Sequence, residues 1–409
     1  MDAPEKSVSL LRHRPFVLFW LARILATAAL QMQAVAVGWQ IYALTGSALD
    51  LGLVGLAQFV PAALFMLLAG HAADRYDRSV LLRLSQVLEA CATAALAIGT
   101  FTGTLTREII FLLVFIIGTG RAFEAPTLQA FLPSLVPPRL LPRAIAGSSS
   151  ANQVATICGP AIGGLVFAFS PTLAYVLCTA LFLLSPVLIT LIRAHRPEPQ
   201  RRPADLASIF AGIGFIRGRP LILGSISLDM FAVLLGGATA LLPIFAKDVL
   251  QTGPWGLGIL RAAPAVGALC MALILARMPL GSGAGRKMYA AVAVFGCATV
   301  VFGLSTSFLL SLAALAVLGA SDVVSVVVRQ TIVQMQTPDE MRGRVTAVNT
   351  LFIGTSNQLG EFESGVLAAL IGAVPAVVVG GAGTLLIVGL WIKLFPQLFN
   401  ADRLEDLHA

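Results

Sequence analysis

Residues 172–246 read TLAYVLCTALFLLSPVLITLIR (172–193), AHRPEPQRRPADLASIFAGIGFIRGRP (194–220) and LILGSISLDMFAVLLGGATALLPIFA (221–246). Two apolar runs flank one basic, proline-rich break. Each run exceeds the roughly 20 residues that a helix needs to cross a hydrocarbon core. Neither alternates apolar and polar residues with period two, which excludes the strands of an outer-membrane barrel. The break is the longest polar interruption in the chain and falls near its middle.

Outward from this point the same window finds five more runs on either side. The expected spans are 16–43, 49–70, 80–101, 108–131, 144–168 and 172–193, then 221–246, 254–277, 287–306, 308–333, 345–370 and 374–396. The first run is too long for the core of a signal peptide and contains Arg23. The fold class expected is therefore an all-α membrane protein with 12 transmembrane helices. Its parts are an N-terminal six-helix lobe (1–193), a cytoplasmic linker (194–220) holding an amphipathic stretch around Ile209–Ile216, and a C-terminal six-helix lobe with a short tail (221–409).

Composition agrees with a bilayer environment. Of 409 residues 57% are apolar and 11% charged, against about 25% charged in soluble domains, and mean hydropathy is +0.90. A soluble enzyme, a nucleic-acid binder and a disordered scaffold are excluded. The net charge of +7 is explained by position. With the N-terminus inside, 21 of the 27 basic residues fall in inner loops and tails, 2 (Arg107 and Lys247) in outer loops, and 4 (Arg23, Arg121, Arg261, Arg329) within spans. That asymmetry puts both termini in the cytoplasm. The five cysteines lie in apolar runs and are expected to be small core residues.

The two halves repeat. At an offset of 201 residues, Gly118 falls on Gly319, Gln129 on Gln330, Pro137 on Pro338, Arg143 on Arg344 and Gly159 on Gly360. Even hydropathy, a central linker and a half-length repeat indicate a two-lobed transporter.

Three stretches carry a family resemblance. Gly70-His-Ala-Ala-Asp74-Arg75-Tyr-Asp77-Arg78 resembles the loop 2–3 signature of the major facilitator superfamily, with Asp77 where that pattern has a second glycine. Gly120-Arg-Ala-Phe-Glu124-Ala-Pro126 and Gly159-Pro160-Ala-Ile-Gly163-Gly164 resemble the enterobactin-exporter-like and drug:proton antiporter branch. The second of these is similar to the antiporter motif, with Ala155 in place of its leading glycine. The counterpart of the loop signature in the second half, around Gly281–Lys287, is eroded. The resemblance implies a gate made of Gly70, Asp74, Arg75 and Arg78, in which Asp74 docks at the start of span 11 near Gly343–Val345. It also implies that spans 1, 4, 7 and 10 line a central cavity while spans 3, 6, 9 and 12 face lipid. On physical grounds a carboxylate at a helix N-terminus contributes about 0.3–1 kcal/mol. Gly159, Gly163 and Gly164, with Pro160, remove side chains where helices meet.

Ionisable groups within spans are costly and mark function by default. Spans 6, 9 and 12 carry none in their interiors. Glu89, alone on span 3, is expected to cap a polar neighbour. Arg121 and Glu124, three residues apart, share a helix face. The repeat places Asp322 at the depth of Arg121 in the other lobe. A cluster of Arg121, Glu124 and Asp322 is expected, serving either proton exchange or permanent pairing. Asp229 and Glu361 complete the proton-coupling candidates. Arg23, Gln31, Arg121, Arg261, Arg329 and Glu363 are the substrate and cavity candidates. Arg23 either contacts an anionic substrate or snorkels to the inner surface.

The function expected is proton-coupled export of a small amphiphilic, siderophore- or drug-like molecule by alternating access in the bacterial cytoplasmic (inner) membrane. A lysophospholipid flippase or an importer is the alternative within transport, and a non-transporting receptor or scaffold the alternative outside it. The chain has no Gly-x-x-x-x-Gly-Lys-Ser/Thr loop, no metal-ligand set and no nucleophile–base motif at cavity depth. No catalytic residue, metal or cofactor is expected, and the chain is not expected to be an enzyme. The expected partners are the substrate, protons and the lipid bilayer, without nucleic acid, and the chain is expected to be a monomer.

Overall fold

A computed structural model describes Leu10 and residues 13–192, 206–278 and 281–401. Lys6, Arg12, Arg193, Arg403 and the linker up to Asp205 lie outside the described residues, as does the side chain of Asp74. No strand occurs among the described residues. The elements are α1 (Arg14–Thr45), α2 (Ala48–Arg75), α3 (Arg78–Thr102), α4 (Arg107–Phe131), α5 (Leu141–Phe169), α6 (Pro171–Thr190), α7 (Leu206–Arg217), α8 (Pro220–Leu235), α9 (Leu242–Ile244), α10 (Gly253–Arg277), α11 (Ala284–Leu304), α12 (Phe308–Met335), α13 (Asp339–Ile371), α14 (Ala373–Leu394) and α15 (Pro396–Phe399).

Local chemistry sets the ends. Asp77 caps α3 by accepting from Ser79 N at 2.9 Å. Ser170 caps α6 beside Pro171, the residue type pre-set for a first helical position. Gly103 closes α3 at φ 70°, where a side chain would be strained.

Three expectations need correction. Gly70–Arg75 is not loop, because α2 runs through it to Arg75 and only Tyr76 and Asp77 intervene before α3. The segment 221–246 is not one helix. It breaks at Gly236–Gly237 and continues as a 3-10 turn (Ala238–Leu241), α9 and a π turn (Phe245–Val249). Two adjacent glycines favour helix poorly. The close approach of Gly237 to Gly360 O, 2.7 Å from an ideal Cβ, requires one there. Of the five cysteines only Cys178 is in the core, the other four being exposed. Lipid is as apolar as a protein core, so an apolar residue on a membrane helix has two equally good places to go.

Among the described residues, eleven of the twelve expected spans are long and apolar enough to cross a membrane. The remaining one, 345–370, is helical within α13, but Glu361, Glu363 and the polar run Thr355-Ser-Asn-Gln358 leave it less apolar than the rest.

By contacts the chain forms two units, residues 1–36 with 60–204, and 37–59 with 205–409. In the first, α3 packs on α4 and α6, around Phe19, Leu82, Phe131 and Ile189 near one end and Ala29, Met32, Ala90, Cys178 and Phe182 farther along. Gly163 and Gly159 bring α5 onto α1. An ideal Cβ on Gly163 would lie 2.6 Å from Met32 Cα, and one on Gly159 2.7 Å from Gln31 Cβ.

In the second unit α12 packs on α10 and α11, α11 on α14, and α13 on α8 and α7. Gly267 against Ala316 and Gly319 against Pro264 make the α10–α12 seam. The segment 37–59 belongs with this unit. An ideal Cβ on Gly52 would lie 3.0 Å from Gly365 Cα, and one on Gly55 2.8 Å from Glu361 Oε2. Tyr42 donates to Asp248, with Lys247 5.2 Å from its ring centroid.

Candidate functional site: two buried acid clusters

The second unit holds a buried ion pair. Arg329 Nη1 of α12 lies 2.7 Å from Asp229 Oδ2 of α8, and the two residues are 2% and 4% exposed. Ser325, one turn before Arg329, donates to Asp229 Oδ1 at 3.1 Å. Asp322, a further turn back, interacts electrostatically with both Asp229 and Arg329. It is less buried than they are and lines a small cleft with Asp229, Phe295, Ser321 and Ser325. The spacing 322, 325, 329 puts all three side chains on one face of α12, turned to α8. One guanidinium thus pairs directly with Asp229 and acts at longer range on Asp322.

The first unit holds a different arrangement. Glu124 of α4, 8% exposed, accepts from Gln86 Nε2 of α3 at 2.8 Å. Arg121 and Arg23 reach it electrostatically. Arg23 itself donates to Ser148 Oγ of α5 at 2.8 Å, and the same α1–α5 face carries Thr27 donating to Asn152 at 3.4 Å. Arg23 is therefore held within the helix bundle of its unit rather than extended to the surface. Glu89 is wholly buried and caps no polar group, contrary to expectation. It packs on Gly120 of α4, where an ideal Cβ would meet Glu89 Cγ at 2.7 Å.

The structure thus gives Glu124 and Asp322 partners each within its own unit. Asp229, expected as a separate candidate, joins Asp322 and Arg329. Neither Gln86 nor Glu89 was read from sequence as part of a site. Their spacing of three residues on one span was the available signal. Arg261 is partly buried on α10, and Glu361 and Glu363 are partly buried on α13, with Glu361 against Gly55. Arg78 donates to Ala130 O at 2.9 Å and Ala73 O at 3.3 Å, joining α2, α3 and α4. Arg75 is exposed.

Comparison with known proteins places these clusters in a transporter. The pattern of the transmembrane secretion effector family matches residues 6–407. The chain is 29% identical over 399 residues to the enterobactin exporter EntS of Escherichia coli and of Shigella boydii, covering 95% of this chain and 93% of theirs. In fold it is similar to a bacterial homologue of the human lysosomal transporter Spinster, with a TM-score of 0.74 and 14% identity over 96% of this chain and 98% of that one. It is also similar to a bacterial homologue of the iron transporter ferroportin, with a TM-score of 0.70 and 18% identity over 94% and 99%. The chain is a multi-pass membrane transporter, not an enzyme, and belongs to the transmembrane secretion effector family of the major facilitator superfamily.

Proposed function

We propose that the chain exports a small amphiphilic molecule, siderophore- or drug-like, from the bacterial cytoplasm in exchange for protons. It works as a monomer by alternating access of two six-helix lobes, residues 1–193 and 221–409, joined by the cytoplasmic linker 194–220. The excess of basic residues in the loops assigned to the inside supports cytoplasmic termini, and the likeness to enterobactin exporters supports outward transport.

The single observation that supports proton coupling is a second carboxylate, Asp322, on the cleft beside the Asp229–Arg329 ion pair and acting electrostatically on both of its members. Asp229 already has Arg329 and Ser325 as donors, whereas Asp322, on the same cleft, is the less buried of the two. Asp322 is therefore the group that binds and releases the proton. Protonated, it leaves the guanidinium to Asp229 alone. Ionised, it competes for that guanidinium, and α8 and α12 settle into a second arrangement. A pH gradient biases such a two-state element through its differential charge. Glu124 and Glu361 are the further acids of the proton path. Gln31, Arg121, Arg261 and Glu363 contact substrate, and Gly70, Asp74, Arg75, Arg78 and the α5 glycines govern opening.

The test uses everted vesicles with an acidic lumen and an amphiphile taken from a thermal-shift screen on the purified protein. The compound is expected to accumulate in the lumen while the gradient lasts. Asp322→Asn should still bind it but lose gradient-driven accumulation. Accumulation that persists after the gradient is collapsed, or that Asp322→Asn leaves intact, would overturn the proposal.

A further inference from the structure

The seam between α3 and α4 contains an acid whose environment suits only its neutral form. Glu89 is wholly buried, and neither Oε1 nor Oε2 receives a hydrogen bond. Gln86 Oε1, on the same face of α3 one turn earlier, is a third buried acceptor without a donor. The helices are close because Gly120 has no side chain. Its backbone lies against Glu89 Cγ and Oε1 and against Ser85 O. One turn along α4, Glu124 takes the amide donor Gln86 Nε2.

The charged and titratable neighbours can be named from each packed element. Helix α4 brings Arg121 and Glu124, both of which act on Glu89 electrostatically. Helix α6 brings Cys178 beside Ala90. Helix α1 brings the neutral Gln33, which accepts from Thr93. Among the described residues Arg121 is the cation acting on Glu89, and it acts on Glu124 as well without donating to either oxygen of Glu89. An ionised carboxylate buried without donors loses its hydration and recovers little of it. A protonated one needs only acceptors, and Gln86 Oε1 is an acceptor on its own face.

We infer that Glu89 is a proton-binding site of the first unit, a carboxyl that stays protonated at neutral pH beside Glu124, which of the two is the one that receives a hydrogen bond. It is separate from the Asp229–Arg329–Asp322 cluster and does not rest on the export reading, because its proton is measured without substrate. Release of that proton requires donors or water to reach the oxygens, and therefore requires α3 and α4 to part at Gly120.

The experiment is infrared difference spectroscopy on the reconstituted full-length protein, wild type minus Glu89→Gln, across neutral and mildly alkaline pH. The expected result is a protonated-carboxyl C=O band in wild type at neutral pH that is lost in Glu89→Gln. The band should be kept, with shifted frequency, in Glu89→Asp. Thermal stability of Glu89→Gln should match wild type, because a neutral amide replaces a neutral acid of the same shape. Superimposable carboxyl regions in wild type and Glu89→Gln would overturn the assignment. So would a Glu89→Gln protein that fails to fold while Glu89→Asp folds, since that pattern requires a charge at the position.

Discussion

The two units bury acids by opposite means. In the second, Asp229 is met by a guanidinium and a hydroxyl, so its charge is compensated by direct contact across α8 and α12. In the first, Glu124 is met by the neutral amide of Gln86, and the nearest directed bond of Arg23 goes to Ser148 instead. The contrast teaches that equal numbers of buried carboxylates do not imply equal dependence on their partners. The first kind of cluster is expected to fail when a partner is deleted, and the second to tolerate neutralisation.

Four substitutions break or sharpen that contrast. The largest effect is expected from Arg329→Met, which leaves Asp229 charged, buried and unpaired. A loss of about 3–5 kcal/mol follows from removing one member of a buried pair, read as a large fall in thermal midpoint and yield. Arg329→Met combined with Asp229→Asn should recover most of it. Next, Ser325→Ala removes a hydrogen bond to an ionised acceptor and should cost about 1.5–3 kcal/mol, with the loss abolished in an Asp229→Asn background. Third, Gly120→Ala places a methyl 3.1 Å from the backbone Ser85 O and against Cγ and Oε1 of Glu89. The side chain can yield, the carbonyl less so, and a loss within the roughly 1–3 kcal/mol range for overpacking is expected. The measurement is denaturation in parallel with the position of the Glu89 infrared band. Smallest of all, Glu124→Gln keeps an oxygen to accept from Gln86 and should change stability by less than about 1 kcal/mol. Its pH-dependent ligand binding, followed by thermal shift, should flatten relative to wild type. A Glu124→Gln loss as large as that of Arg329→Met would erase the distinction between the units.

Helix positions were legible because a bilayer imposes a length on apolar runs and the loops between them carry polar residues. The expected span 108–131 differs from α4 by one residue. The break at Gly236–Gly237 was less legible, since glycines are common in membrane helices and only the approach of Gly360 makes this pair necessary. The helical state of Gly70–Arg75 was hidden by its charges, which read as loop although a helix can run past the membrane surface. In the clusters, Asp322 and Arg329 could be placed on one face from spacing alone. Their meeting with Asp229, 96 residues from Ser325, depends on which helices pack together. Glu89 was misjudged because its helix is peripheral in the family fold, and nothing in a single span reveals that Gly120 admits it to a buried seam.

The chain alone determined that it is helical, that it spans a membrane many times, and which residues carry charge into the apolar interior. Those properties follow from local composition, length and the cost of dehydrating a charge. Which charge meets which partner was decided only by tertiary structure. Lipid and protein interior are equally apolar, so a membrane helix carries little record of which side faces its neighbours. That information lies in the close approaches at Gly120, Gly163, Gly237 and Gly365 and in the pairing of Asp229 with Arg329.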